Sequence, residues 1–194
     1  MNLHVINTGY FKLDGGAMFG VVPKSLWSRT NPADENNMCT WAMRCLLIED
    51  GDRLILIDNG IGDKQSEKFF SYFYLHGEDS LEKSLNQAGF AKADITDNFL
   101  THLHFDHCGG GVYRDKNDAL KLTFPKAEYW SNKDHLEWAI KPNAREKASF
   151  LKENILPMQE SGHLNFVPVD GPSPFAQFDI LMVDGHTDKQ MIPK

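Results

Sequence analysis

Residues 101 to 111 read Thr-His-Leu-His-Phe-Asp-His-Cys-Gly-Gly-Gly. Four side chains able to hold a metal ion, His102, His104, Asp106 and His107, fall within six residues of one another. Imidazole nitrogens combined with a carboxylate oxygen suit zinc, iron, manganese or cobalt, and neutral histidine is a common ligand for such ions. His102 and His104 are two apart, so at the end of an extended strand they face the same side. Asp106 and His107 are neighbours and converge on a common point only through a tight turn, for which Gly109 to Gly111 supply backbone freedom. Ligands split in this way can serve two ions rather than one. The competing reading is a metal-free His-rich loop, which the spacing disfavours.

Several elements must carry this segment. Residues 97 to 101 are expected to form the strand that delivers it. Upstream, Leu3 to Thr8 reads as a first strand and Ala17 to Val22 as a second, with a polar surface loop over residues 28 to 38. Ala42 to Ile48 and Leu54 to Ile57 predict a strand pair across Asp50-Gly51. Lys64 to Tyr74 reads helical, and Ser80 to Ala88 predicts a helix with Ser80 as N-cap and Gly89 as its stop. Downstream come a strand pair near residues 120 to 130, a helix from Asn132 to Ile140 and a helix from Ala144 to Ile155 ending before Pro157. Leu164 to Val169, Phe178 to Val183 and Gln190 onward read as further strands. The order predicts one layered α/β domain over residues 1 to 194.

Composition narrows the function. A formal charge of −7 with no Lys/Arg cluster argues against nucleic acid as a partner. No apolar run reaches the roughly 20 residues of a membrane span, and no signal peptide is visible at Met1 to Asn7. Three cysteines (Cys39, Cys45, Cys108), without a CxxC pair, favour a reducing compartment, so a cytoplasmic protein is the expectation. Cys108 is read as a packing residue, and His4, His76, His135 and His163 as structural, with His135 on the solvated side of its helix. Asp184, before Gly185, reads as a turn residue.

The segment resembles the His-x-His-x-Asp-His signature of the metallo-β-lactamase superfamily. Leu54-Ile55-Leu56-Ile57-Asp58-Asn59-Gly60 is similar to that family's early strand ending in Asp-x-Gly, and Val183-Asp184-Gly185-His186-Thr187 to its later Gly-His-Thr motif. Asp106-His107-Cys108-Gly109-Gly110 and Leu13 to Gly20 look closest to the branch of lactonases and organophosphate hydrolases. The resemblance implies an αββα sandwich. It implies His102, His104 and His186 on a first ion, with Asp106 and His107 on a second. Asp58 would orient a ligand imidazole, and Thr101 and Thr187 would act as donors beside the ligands. The family also carries a bridging Asp and a final His some tens of residues past Gly-His-Thr. The sequence ends at Lys194, so the domain is expected to be C-terminally incomplete.

The cofactors expected are two divalent ions, zinc foremost, with manganese, iron or cobalt as alternatives. Water held between two cations has its pKa lowered far below that of bulk water, and Asp106 could pass a proton to the leaving group. The expected activity is hydrolysis of a small ester, lactone, thioester or phosphotriester, the substrate being a small molecule. Met18, Phe19 and Trp27 are candidates for an apolar wall against its acyl or aryl group. A mononuclear iron dioxygenase acting on a sulfur substrate, and a non-catalytic metal- or ligand-binding module, are the alternatives. A homodimer is an open expectation.

Overall fold

The computed structural model describes residues 1–194. Two strands of 13 residues, β1 (Asn2–Asp14) and β2 (Met38–Asp50), pair antiparallel, and β2 turns through Gly51 (φ 59°) into β3 (Arg53–Ile57). Beyond β3 the sheet grows by parallel pairing. It adds β4 (Asp97–Phe99), then joins strands from further along the chain. A side hairpin of β5 (Val112–Arg114) and β6 (Leu120–Leu122) intervenes, before β7 (Glu128–Ser131) and β8 (Leu164–Phe166) complete the order β1-β2-β3-β4-β7-β8. A separate hairpin, β9 (Ile180–Val183) and β10 (Gln190–Pro193), lies outside this sheet.

Seven helices connect the strands: α1 (Gly15–Phe19), α2 (Lys24–Trp27), α3 (Glu67–Ser71), α4 (Leu81–Gln87), α5 (Phe105–Cys108), α6 (Lys133–Ile140) and α7 (Lys152–Glu160). Side chains alternate across a strand, and β3 shows what this does to the core. Leu56 joins Leu47, Leu85 of α4, Leu136 of α6 and Met158 of α7 on the helix side. Ile55 and Ile57 point the other way, into a cluster with Ile48, Phe99, Val167, Phe175 and Met191 that the β9–β10 hairpin covers. The central strands are thus buried on both faces, as parallel strands require. No helix is long and apolar enough to cross a membrane.

The predicted strand pair of β2 and β3 is present, and Ser80 caps α4 by accepting from Lys83 N–H, with Gly89 (φ 89°) just past its end. Five expectations are corrected. Ala17–Val22 is no strand: Asp14 Oδ1 accepts from Ala17 N–H at 2.8 Å and nucleates α1, while β1 itself runs on to Asp14. The helix expected over residues 64 to 74 shrinks to α3, started by the Ser66 hydroxyl. The segments near 120 to 130 do not pair with one another, because β6 pairs with β5 and β7 enters the main sheet. Helix α7 begins only at Lys152 and carries Pro157 in its interior. Residues 144 to 149 are a separate turn, with Asn143 Oδ1 accepting from Glu146 N–H at 2.9 Å.

His135 is the fifth correction. It is buried, with 1% of its surface exposed. It shares the inward stripe of α6 with Leu136 and Ala139. Its Nε2 accepts from Leu103 N–H at 2.9 Å, and its Nδ1 lies 2.6 Å from the Asp188 carbonyl.

Candidate metal centre

The ends of β3 and β4 set the site. Asp58 follows β3, and its N–H donates to Phe99 C=O at 2.8 Å, extending the parallel pairing to the edge of the sheet. Asp58 there takes φ 59°, a backbone conformation that non-glycine residues rarely hold. The chain leaves β4 through Leu100 and Thr101 and enters the single turn of α5, where the His104 carbonyl accepts from the N–H groups of His107 and Cys108. The third histidine arrives from elsewhere. Met191 N–H donates to Thr101 C=O at 2.8 Å and Asn132 Nδ2 to Lys189 C=O at 2.8 Å, so the loop between β9 and β10 sits over the cluster.

Gly109, Gly110 and Gly111 do not use left-handed backbone, contrary to the freedom expected of them. Their role is close approach. A Cβ on Gly109 would stand 2.2 Å from the Ile61 carbonyl oxygen, and one on Gly110 would stand 2.2 Å from that of Asn59. Lys64 Nζ, buried beside them, donates to the Gly109 carbonyl, and burial pulls its ammonium down to about 8.

Three imidazoles meet at one point. His186 Nε2 lies 3.2 Å from His102 Nε2 and 3.2 Å from His104 Nδ1, and the ligand atoms of all three fall within 4.8 Å of one another. A tetrahedral zinc ion with Zn–N bonds of about 2.0–2.1 Å places its nitrogen ligands about 3.3 Å apart. The separations therefore fit a first-row divalent ion. Hydrogen bonding aims the lone pairs correctly too. The Thr101 hydroxyl donates its one proton to Asp58, so its oxygen accepts from His102 Nδ1–H at 3.0 Å, leaving His102 Nε2 free to ligate. For His104 the atom facing the other two rings is Nδ1, and an imidazole that ligates through Nδ1 carries its proton on Nε2. That buried atom has no hydrogen-bond partner and faces Glu146 Oε2 at 3.8 Å. Burial, reinforced by the neighbouring imidazoles, lowers the pKa of all three, His104 to about 3. Neutral imidazole is the ligating form.

A second group adjoins the first. The His107 ring centroid is 4.0 Å from that of His102, and His107 Nε2 is 3.5 Å from Asp106 Oδ2. On its other side His107 Nδ1 lies 2.7 Å from Asp58 Oδ2. Burial opposes protonation of His107, but the charge and hydrogen bond of Asp58 outweigh it and raise the imidazole to about 9. Asp58 also accepts from Thr101 N–H at 2.8 Å. One carboxylate thus holds His107 directly and His102 through Thr101.

Of the residues singled out in the sequence, His102, His104, Asp106, His107, His186, Asp58 and Thr101 come together here. Thr187 is buried, and its hydroxyl donates to Glu146 Oε2 at 2.8 Å, one step behind His104. Met18, Phe19 and Trp27 gather on α1 and α2. Phe19 stacks on Trp27 at 4.8 Å and leans on Trp41 of β2, while Met18 is exposed. Cys108 is buried, its Sγ 3.3 Å from the Leu103 carbonyl, and burial pushes the thiol up to about 12. Asp184 closes its turn by accepting from Lys189 N–H. Sequence reasoning missed Glu146, which also accepts from Trp138 Nε1 at 3.0 Å, and Phe150, whose ring packs 4.7 Å from that of His104. The one signal for Glu146 was Asn143 three residues before it, a turn cap.

Comparison with known proteins gives the family and the fold. The family model of the metallo-beta-lactamase superfamily matches residues 44–179. An N-acyl homoserine lactonase of Bacillus cereus is 27% identical over 158 residues, covering 76% of this chain and 54% of the lactonase. The chain thus spans about half the length of the curated relatives it matches. A probable metal-dependent hydrolase from Staphylococcus aureus superposes with a TM-score of 0.88 at 30% identity, over 99% of this chain and 67% of that one. The dizinc quorum-quenching lactonase AidC, solved with a product, N-hexanoyl-L-homoserine, shares the fold at a TM-score of 0.73 and 23% identity, over 98% of this chain and 66% of that one.

Proposed function

We propose that this chain, which belongs to the metallo-beta-lactamase superfamily, carries the metal-holding part of a hydrolase that opens small lactones. The observation that carries the reading is the convergence of His102 Nε2, His104 Nδ1 and His186 Nε2 at zinc-like separations beside Asp106 and His107. Support for lactones within the wider class of esters comes from the N-acyl homoserine lactonases among its relatives.

His102, His104 and His186 would hold one ion, and Asp106 with His107 would supply ligands to a second. Divalent ions so held supply Lewis acidity toward a carbonyl oxygen and make water a nucleophile near neutral pH. The chain's own groups do the rest. Asp58 and Thr101 fix the ring orientation and proton position of His107 and His102, a support that metal-ligating histidines commonly require. Glu146, anchored by Thr187 and Trp138, faces the proton-bearing nitrogen of His104. The Asp106 carboxylate stands at the edge of the cluster, where it can hold a proton and return it to the alkoxide that leaves when a lactone ring opens. Met18, Phe19 and Trp27 are our candidates for the wall that meets the acyl chain.

The test is elemental analysis of the purified chain, followed by hydrolysis assays on N-hexanoyl-homoserine lactone, an aryl ester, a thioester and a phosphotriester. Bound zinc with chelator-sensitive turnover of the lactone above the other three supports the proposal. Retained metal with turnover of another class instead would replace the lactone, and absence of bound metal after zinc loading would end the hydrolase reading.

A further inference from the structure

His186 is exposed, unlike His102 and His104, so burial of its own ring does little to place it. Within the hairpin its turn is closed by Asp184, which accepts from Lys189 N–H at 2.9 Å. The other anchors come from α6, its N-cap Asn132 and the turn that follows it. Each of the three residues after His186 is held by one of these, in reverse order. The Thr187 hydroxyl donates to Glu146 Oε2 at 2.8 Å. The Asp188 carbonyl accepts from His135 Nδ1 at 2.6 Å, and the Lys189 carbonyl from Asn132 Nδ2 at 2.8 Å. Lys189 keeps a left-handed backbone there (φ 52°), a conformation that persists where surrounding contacts impose it. Asn132, His135 and Glu146 are all buried, which shields these bonds from competing water.

The same groups reach the other two histidines. His135 Nε2 accepts at 2.9 Å from the N–H of Leu103, the residue between His102 and His104. Glu146 Oε2 lies 3.8 Å from His104 Nε2, a buried nitrogen without a hydrogen-bond partner. That distance is too long for a hydrogen bond but short for charge. An imidazole that ligates a cation becomes more positive, and a carboxylate behind it stabilises that charge. Trp138, Thr187 and Asn143 donate to Glu146 and favour its ionised form. The α6 segment thus stands between the two stretches of chain that carry the three imidazoles and is bonded to both.

We propose that Asn132, His135 and Glu146 position the ligands of the first ion, and that Glu146, which faces His104 and holds the residue after His186, sets the affinity of that site. The proposal rests on the reading that His102, His104 and His186 hold an ion, and not on the choice of a lactone as substrate. Glu146 acts through other residues and is a positioning residue.

Zinc affinity of the whole chain, by competition against a chromophoric chelator, tests it alongside the melting temperature of the metal-free chain. Glu146→Gln keeps the shape and an oxygen for Thr187 and Trp138 but removes the charge. It should weaken zinc about 10- to 100-fold, measured where the metal-free variant is folded. In the zinc-loaded chain it should also move the His104 imidazole N–H resonance upfield, which a purely structural residue would not do. Thr187→Val should cost about 2- to 10-fold, roughly the worth of one hydrogen bond, and decides the matter if Glu146→Gln does not fold. Glu137→Gln, on the exposed side of α6, should change neither affinity nor resonance. Zinc held by the wild-type chain with unchanged affinity in Glu146→Gln and Thr187→Val would overturn this proposal alone. No zinc in the wild-type chain would end the metal reading and the proposal with it.

Discussion

Asp58 Oδ2 and His107 Nδ1 stand 2.7 Å apart, and Asp58 reaches that position from a left-handed backbone at the end of β3. A single carboxylate outside the ligand set therefore governs two imidazoles, one through Thr101. Asp58→Asn should leave the fold intact and weaken zinc binding about 10- to 100-fold, the usual cost of losing such a support. Competition against a chromophoric chelator measures it, and an unchanged affinity would count against the orienting role.

His186→Ala removes the ligand that comes from the β9–β10 hairpin and leaves His102 and His104 in place. Zinc affinity should fall by at least about 100-fold, since a three-nitrogen site becomes a two-nitrogen one. His163→Ala, whose Nδ1 faces only the Ala127 carbonyl, should leave affinity unchanged.

The metal-free chain should be most stable near neutral pH. Burial holds His104 near 3 and His135 near 4 in the folded state, against 6.5 when unfolded. The unfolded chain then binds more protons in acid, so stability falls as pH drops below 6.5. His107 has the opposite sign. Its folded value of about 9 gives a contribution fully present below 6.5 and lost as pH rises to 9, a loss that Lys64, held near 8 in the fold, opposes only above pH 8. Melting temperatures in chelator should decline on both sides, more steeply in acid because more histidines act there. Asp58→Asn should flatten the alkaline limb, and a wild-type melting point that climbs steadily from neutral pH to pH 9 would refute the assignment.

His135→Phe keeps the apolar bulk but strands the Leu103 N–H and the Asp188 carbonyl. The expected loss is about 1–3 kcal/mol for each buried group left unpaired, read from urea denaturation. A solvated His135, as the sequence suggested, would give almost none.

Gly110→Ala drives a methyl group to 2.2 Å from the Asn59 carbonyl, where backbone must yield. Destabilisation of about 1–3 kcal/mol or more is expected, along with weaker zinc binding because the displaced loop carries Asp58. Gly162→Ala, where a Cβ meets open space, should retain zinc affinity whatever its backbone strain (φ 79°) costs in stability.

The contrast between His107 and Glu146 shows what could be read in advance. His102, His104, Asp106 and His107 fall within six residues, so spacing alone exposed them, and the cap at Ser80 was legible because capping acts over three residues. Glu146 meets His104 across 42 positions, through a turn that propensity misread as the start of a helix. His135 was misplaced because its neighbours Lys133, Asp134 and Glu137 are polar, although the step from His135 to Leu136 and Ala139 marks a buried stripe. The glycine run was identified correctly and explained wrongly. Its need comes from carbonyls of a distant loop, which no local pattern displays.

The third histidine rides on a hairpin outside the main sheet, 84 positions from His102. An ion gripped by both would act as a clasp across that long stretch, closing a loop whose entropy the polypeptide alone must otherwise offset. Occupancy would then be readable far from any chemistry. Protease attack on the β9–β10 hairpin should slow as zinc concentration rises above its dissociation constant, by the same mass action that couples any ligand to the state that binds it.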